Sequence, residues 1–485
     1  MSPLLTDRIA RHVVDVPDSV AVSDGVAVSD GVAVVDCREA VSYSDFWRRV
    51  VRSAAGMRGM NRIAVLPTSD VSSLVAVTAA MLSGTGVVLL HRHLLPEQFA
   101  RVMQLARPAA VVAQPSRHRR LRNWGCSDPV SALDSDGPHE SADEAHELLV
   151  GITSGSTGEP KLFVRDQRSW ARTLDRSDAV FDIGRGDRVS TPGALDHTHF
   201  LYGALHGLTR GATVDLRPVV DAVADAPTHL YSVPTLAWDV VRSGMEPVPT
   251  VREVLSSAAR WPASGRAALQ TVFPNATLTH FYGASELSFV SYDRGVDPGP
   301  GTLFDGVDAE VRGGIVHVRS DMLFDGYLTE SGIGGGPTDG WMTVGDRGIV
   351  RGRELTLVGR SSETIVRAGL NVDLAPIEAA ALALPGVLEA ACIGVPDERM
   401  GEVPALAVVV SDRKPTVTAM RARLRSALPS PSMPTRTVIV DALPRTPRGK
   451  VDRQALLGVL GATFATDRTD PSTVNHSVSA PDSNR

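Results

Sequence analysis

Near the start of the chain apolar and polar residues alternate in a run that repeats itself: Val20–Gly25 reads VAVSDG, Val26–Gly31 reads VAVSDG again, and Val32–Asp36 is a decayed third copy. Alternation closed by Asp-Gly predicts short strands and tight hairpin turns. So few copies of so short a unit suggest a local duplication at a sheet edge, not a solenoid. Beyond it, apolar runs alternate with helical stretches: strands at Arg62–Leu66, Val87–Leu90 and Ala109–Ala113, with helices starting at Val71 and Pro96. That order predicts a parallel α/β layer. Residues 71–90 carry no charge, over about the ~20-residue length of a membrane span. Ser72, Ser73 and Thr78 dilute the run and Ser83-Gly84-Thr85-Gly86 breaks it, so a buried helix followed by a strand is expected and no membrane span.

The stretch 125–147 is acidic, turn-rich and free of Lys and Arg, which reads as an exposed connector. Arg117, Arg119, Arg120 and Arg122 just ahead of it read as a solvated basic face. A second α/β stretch occupies about 148–290, and shorter strands rich in Val and Gly over 300–358 suggest a small barrel or antiparallel sheet. After Arg360 the pattern becomes helix–strand–strand–helix, and the polar, uncapped tail from Gly461 is expected to be disordered.

Composition narrows the class. At 485 residues the chain is long enough for two to four compact units. With 43% hydrophobic and 21% charged residues it belongs with globular proteins. A net charge of −6 gives no electrostatic reason to expect nucleic acid or anionic lipid as partner. Cys37, Cys126 and Cys392 are far apart and near no partner at metal-ligand spacing, which argues against a disulfide scaffold or zinc site and fits a reducing cytoplasm. The start, interrupted by Asp7, Arg8 and Arg11, lacks the apolar core of a signal peptide. Of 49 basic residues only Lys161, Lys414 and Lys450 are lysines. Arginine-favouring codon usage accounts for the scarcity, but each survivor's place then matters.

The strongest local signal is Leu148–Lys161, LLVGITSGSTGEPK. An apolar strand runs into Thr153-Ser154-Gly155-Ser156-Thr157-Gly158, then Glu159-Pro160-Lys161. Glycines let backbone N–H groups face one point, hydroxyls add donors, and a lysine supplies a compact positive charge, which together make a polyphosphate cradle. It is not a Walker A loop, because the closing GK[ST] is missing and Pro160 stands where a helix would begin. A Ser/Gly linker would need neither the strand ahead nor the lysine behind.

This segment resembles the phosphate loop of the ANL adenylate-forming superfamily: acyl-CoA synthetases, adenylation domains of nonribosomal peptide synthetases, and beetle luciferases. The later motifs fall in that family's order, so the resemblance covers about residues 10–458. Phe281-Tyr282-Gly283-Ala284-Ser285-Glu286 resembles its aromatic-Gly-x-Thr-Glu element. The resemblance implies that Tyr282 packs on adenine beside Gly283, that Ser285 binds the α-phosphate in place of the usual threonine, and that Glu286 binds Mg²⁺, for which one carboxylate plus phosphate oxygens suffice. Ser256-Ser257-Ala258-Ala259-Arg260 resembles the small-residue turn whose backbone lies along the adenine and acyl sites. Asp346, closing WMTVGD, and Arg360 match the ribose-binding positions; two oxygens on one carboxylate suit two adjacent hydroxyls. PRTPRGKVDR, residues 444–453, resembles the C-terminal loop that carries the catalytic lysine, here Lys450. Lys414 lies in a turn and receives no role.

The resemblance implies two half-reactions. Acid and ATP give acyl-adenylate and pyrophosphate, then a thiol takes the acyl group and AMP leaves. It implies an α/β fold: a large N-terminal domain of two α/β layers plus a small β-barrel-like subdomain (1–358), a hinge (359–362, with Ser362 at the pivot), a small mobile α+β C-terminal domain (363–460), and a tail (461–485). Val366–Asn371 resembles the loop lining the pantetheine tunnel, where Gly369 would let the thiol arm approach the backbone. Leu195–Gly203 aligns with the element bordering the carboxylate pocket, with His197 at its aromatic or histidine position. His199 and His280 either line that pocket or serve as hydrogen-bonded structural histidines. Amino-acid-activating relatives carry an aspartate right after the aromatic position; Thr198 stands there, which favours a plain carboxylic acid, although Asp196 is one residue away. The expectation is an ATP- and Mg²⁺-dependent acyl-CoA synthetase, cytoplasmic, monomeric or homodimeric, using coenzyme A as acceptor. Two alternatives stand beside it: a ligase loading the pantetheine of an acyl carrier protein, and a catalytically silent acyl- or nucleotide-binding relative.

Overall fold

A computed structural model describes residues 3–13, 22–23, 26–27, 30–154, 160–259, 261–360, 364–367, 370–397, 400–411, 415–446 and 450–466. The expected parallel layer is present. Gly86–Leu89, Arg62–Leu66 and Ala110–Ala113 lie side by side in parallel, and Glu147–Ser154 joins them in the same direction. Helices Val71–Ser83 and Pro96–Ala106 make the crossovers. Asp70 caps the first by accepting the Ser73 N–H, and Gly84 ends it at φ 73°. Its charge-free face-all-round composition is thus that of a helix covered on every side. Among the described residues no helix is long and apolar enough to cross a membrane.

Glu147–Ser154 folds back on Pro160–Asp166, and Gly326–Thr329 and Gly332–Gly334 complete a seven-stranded sheet with antiparallel partners. A fourteen-stranded sheet lies beside it. Its centre is parallel: Val32–Val35, Thr213–Asp215, Arg188–Ser190, His229–Ser232, Glu253–Ser256 and Thr277–Ala284. The chain then turns antiparallel into Ser288–Arg294. The antiparallel strands expected over 300–358 are there: Gly326–Thr329 and Gly332–Gly334 joined the seven-stranded sheet, and the others extend this one. Gly301–Leu303 pairs with Ser288–Arg294, and Glu354–Arg360, Asp346–Arg351, Ile315–Arg319 and Asp308–Arg312 follow. The free edge left by Ser288–Arg294 takes up the new strands, which satisfies its backbone groups.

The duplicated segment forms the expected hairpin, Val22–Ser23 against Val26–Ala27, though as a separate two-stranded sheet. Among the described residues, only the third copy, Val32–Val35, enters the large sheet, beside its edge strand Ala40–Ser42. The connector 125–146 is largely exposed, as read from its composition.

The C-terminal unit adds a hairpin, Thr364–Arg367 with Leu370–Asp373, to the expected pattern. Its long strands Val387–Asp397 and Gly401–Val410 split their side chains by parity. Cys392, Leu406 and Val408 meet Ile377 and Leu424 on one face. Ala391, Ile393, Ala405 and Ala407 meet Leu456 and Leu460 on the other. The last helix, Arg453–Thr466, takes in residues 461–466 of the segment expected to be disordered. Leu456 and Leu460 seat its first turns in a core. Residues 467–485 lie outside the described residues.

Helix Thr198–Thr209 rests on the parallel sheet at its glycines. A Cβ on Gly203 would stand 2.5 Å from the ring of Tyr231. Gly203→Val should therefore lower the unfolding free energy by roughly 1–3 kcal/mol through overpacking, read from urea denaturation; an unchanged midpoint would contradict this close approach.

Candidate active site

The ends of the glycine-rich loop are held as a hairpin. Thr153 faces Lys161 and Ser154 faces Pro160 across the two strands, so Pro160 opens a strand. Gly155, Ser156, Thr157 and Gly158 lie outside the described residues. The Lys161 ammonium stands 5.4 Å from the ring centre of Tyr327. Tyr327 comes from Gly326–Thr329, the strand that pairs with Pro160–Asp166, and its hydroxyl donates to Glu286 Oε1 at 2.8 Å. Burial, with the Glu286 charge adding to it, pushes the Tyr327 phenol well above its ordinary range, so it stays a donor. Lys161, Tyr327 and Glu286 thus form one chain of contacts across the gap between the two sheets.

Glu286 is placed by a turn that only glycine permits. A Cβ on Gly283 would come within 2.2 Å of the Ser288 carbonyl oxygen, where the register slips between Tyr282 and Gly283. The chain folds over this contact through Ala284, Ser285 and Glu286, and the Phe324 N–H fixes the Glu286 carbonyl at 3.1 Å. Just before the turn, the Tyr282 hydroxyl donates to Asp346 Oδ2 at 2.5 Å. Asp346 is buried and lies directly opposite Arg360 in the sheet, which brings the two expected ribose residues together. Ser257 is buried, while Ala258 and Ala259 are exposed beyond the strand Glu253–Ser256. Ala258 adopts φ 76°, a left-handed conformation unusual for a residue with a Cβ. Arg260 lies outside the described residues.

His197 occupies the N-cap of helix Thr198–Thr209. With Asp196 and Thr198 it lines a small cavity against Leu89, Gly151 and Ile152, at the base of the loop strand. Asp196 is committed elsewhere: its carboxylate accepts the Arg92 N–H at 3.0 Å and the Arg92 guanidinium at 3.4 Å. An arginine already neutralises it, so it is a poor seat for a substrate ammonium. His199 is hydrogen-bonded through Nε2 to the Ser232 carbonyl at 2.8 Å. His280 meets Trp261 edge-on at 6.0 Å. The buried His280 Nδ1, Ser256 Oγ and Trp261 Nε1 have no hydrogen-bond partner among the described residues. Ser256 and His280 are register partners on adjacent strands, so these atoms gather at the carboxyl end of the parallel sheet, where a polar ligand would satisfy them.

Lys450 is exposed on the C-terminal unit. Its loop is closed at the base by Thr446 N–H to Lys450 carbonyl at 2.7 Å and Asp452 N–H to Pro444 carbonyl at 2.8 Å. Gly369, Ser362 and Lys414 lie outside the described residues. Sequence reasoning missed Tyr327 and the Arg92–Asp196 pair. Their segments carry no motif, and only the pairing of distant strands brings them in.

A model of the AMP-binding enzyme family matches residues 17–328, and one of the AMP-binding enzyme C-terminal domain matches residues 376–450. The uncharacterized acyl-CoA ligase YhfT of Bacillus subtilis is 32% identical over 451 residues, spanning 86% of this chain and 92% of its own. The putative long chain fatty acid-CoA ligase VraA of Staphylococcus epidermidis is 28% identical over 327 residues, spanning 64% of this chain and 70% of its own. ATP-bound MatB from Rhodopseudomonas palustris shares the fold at a TM-score of 0.81 and 22% identity, over 96% of this chain and all of that one. Amide bond synthetase McbA from Marinactinospora thermotolerans does so at 0.79 and 22%, over 94% and 99%. The chain belongs to the AMP-binding enzyme family. It is an AMP-forming acid–thiol ligase.

Burial pushes His199 down to about 4 and His280 to about 3. Both stay neutral in the folded state while the unfolded chain takes up protons below about pH 6.5. Their contribution to stability is full above that pH and is lost as pH falls through the folded values. Urea unfolding should show stability falling from pH 6.5 toward 4 by at most about 1.4 kcal/mol per pH unit for each histidine. His199→Gln should flatten the slope, and a slope unchanged in that variant would contradict the assignment.

Proposed function

We propose that this enzyme activates a carboxylic acid with ATP, forming an acyl-adenylate and pyrophosphate, and then passes the acyl group to the thiol of coenzyme A, releasing AMP. The observation that carries the reading is the chain of contacts Lys161–Tyr327–Glu286 lying beside Tyr282–Asp346. It groups a cation, two carboxylates and two phenols from four separate segments, a set suited to a nucleoside triphosphate with its metal. Backbone and hydroxyls of Thr153–Gly158 hold the departing phosphates with Lys161. Tyr282 and the Ser257-Ala258-Ala259 turn take the adenine, with Gly283 leaving room. Ser285 binds the α-phosphate, and Asp346 and Arg360 the ribose. Glu286 fits Mg²⁺, which takes few carboxylates and completes its shell with phosphate oxygens and water; when bound, the ion offsets charge on the polyphosphate. His197 borders the acid's carboxylate, and Tyr327 orients Glu286.

Lys450 supplies a positive charge where carboxylate and α-phosphate meet. At ~4 Å and an effective dielectric of ~20 one such charge is worth about 4 kcal/mol, on the order of a thousandfold in rate. Residues 359–362 act as a hinge between the body, 1–358, and the C-terminal domain, 363–460. Rotation there withdraws Lys450 after the first step and brings the Gly369 loop to the thiol.

Lys450→Ala should suppress acid-dependent pyrophosphate exchange on the order of a thousandfold while sparing thioester formation from supplied acyl-adenylate; equal loss of both steps would refute the division of labour. Gly369→Trp should do the reverse. AMP release with free coenzyme A against holo-carrier protein distinguishes the two acceptors.

A further inference from the structure

Ligands of open α/β sheets sit beyond the carboxyl ends of the parallel strands, here the ends at Ser232, Ser256 and Ala284. The organic part of an acid whose carboxylate meets His197 must therefore run between the start of helix Thr198–Thr209 and those strand ends. That space is filled by rings. His199 lies 5.1 Å from Phe200, 5.4 Å from Tyr231 and 5.5 Å from Phe281, centre to centre. Phe281 continues to Phe289 at 4.5 Å. Phe200, Tyr231 and Phe281 are 6%, 0% and 3% exposed. The contact of Gly203 with Tyr231 brings the helix down onto the sheet just behind them.

The polar groups of this wall are anchored. The Tyr231 hydroxyl is hydrogen-bonded to His206 Nδ1 at 2.9 Å, and His206 Nε2 to Asp178 at 3.0 Å. His199 is tied to the Ser232 carbonyl. Swinging either ring aside would strand a buried polar group. The wall also offers no charge: His199 is neutral near pH 7, and Asp196 already pairs with Arg92.

We propose that His199, Phe200, Tyr231 and Phe281 close the acyl pocket directly behind the carboxylate, making the enzyme selective for short, uncharged-tail monocarboxylic acids, with Phe281 the residue that sets the limit. This rests on the adenylation reading above. Phe281 stands one residue before the ring assigned to adenine, so a side chain there reaches the acid and not the nucleotide base.

The test is pyrophosphate release by the full chain with ATP and Mg²⁺ over acetate, propionate, butyrate, hexanoate, octanoate and dodecanoate. kcat/KM should peak at butyrate or shorter and fall at least about a hundredfold by octanoate, since each misplaced methylene counts in a closed apolar pocket. Phe281→Ala should raise the octanoate-to-propionate ratio at least about tenfold, and Phe281→Leu, the milder change if the first does not fold, should move it the same way. A wild-type optimum at octanoate or dodecanoate, or a ratio unmoved in a folded Phe281 variant, overturns the proposal and leaves adenylation standing. Pyrophosphate release with none of these acids and no other carboxylic acid would sink adenylation, and this inference with it.

Discussion

Two phenols hold the two carboxylates of the proposed site. Tyr282 donates to Asp346 and Tyr327 donates to Glu286, and in each case the tyrosine and the acid come from different segments of the body. Hydrogen bonds to charged groups contribute about 1.5–3 kcal/mol each, but their larger effect is geometric. Tyr282 ties the last parallel strand to the antiparallel extension that carries Asp346. Tyr327 ties the seven-stranded sheet, through Pro160–Asp166, to the turn that carries Glu286. The seam between the two sheets is thereby fixed at the place proposed for the polyphosphate.

That arrangement separates what local sequence could reveal from what it could not. The alternation of Arg62–Leu66, Val71–Ser83, Gly86–Leu89 and Pro96–Ala106 is written in apolar periodicity and in caps such as Asp70 and Gly84, all of which act over a few residues. The proposed roles of the glycine-rich loop, Glu286, Asp346 and Lys450 rest on motifs that are short and ordered along the chain. Tyr327 was not: nothing in Phe324-Asp325-Gly326-Tyr327 marks a strand that crosses from one sheet to pair in the other. Asp196 is the converse case, a tempting acid whose pairing with Arg92, over a hundred positions away, no local pattern discloses. The antiparallel strands of 301–360 were read correctly as strands, while their attachment to the large sheet depended on an edge contributed by Ser288–Arg294.

The C-terminal unit carries cores on both faces of its own sheet, and it meets the body through small and charged groups. A Cβ on Gly359 would come within 3.0 Å of Ala375, Arg347 pairs with Asp373, and Arg242 reaches Glu389 at 3.3 Å. Such contacts are individually weak in water, and they cost little to exchange for others compared with the apolar burial that holds each unit together.

The duplicated hairpin at the start has a consequence of its own. Its unit is six residues long, an even number, and side chains along a strand alternate with period two. That parity stops at the ribbon, which is a sheet of its own: the side chains that Val32–Val35 turns inward are set by its pairing with Ala40–Ser42 and Thr213–Asp215. A copy gained or lost would change the length of the ribbon and leave the register of the large sheet where its own partners hold it.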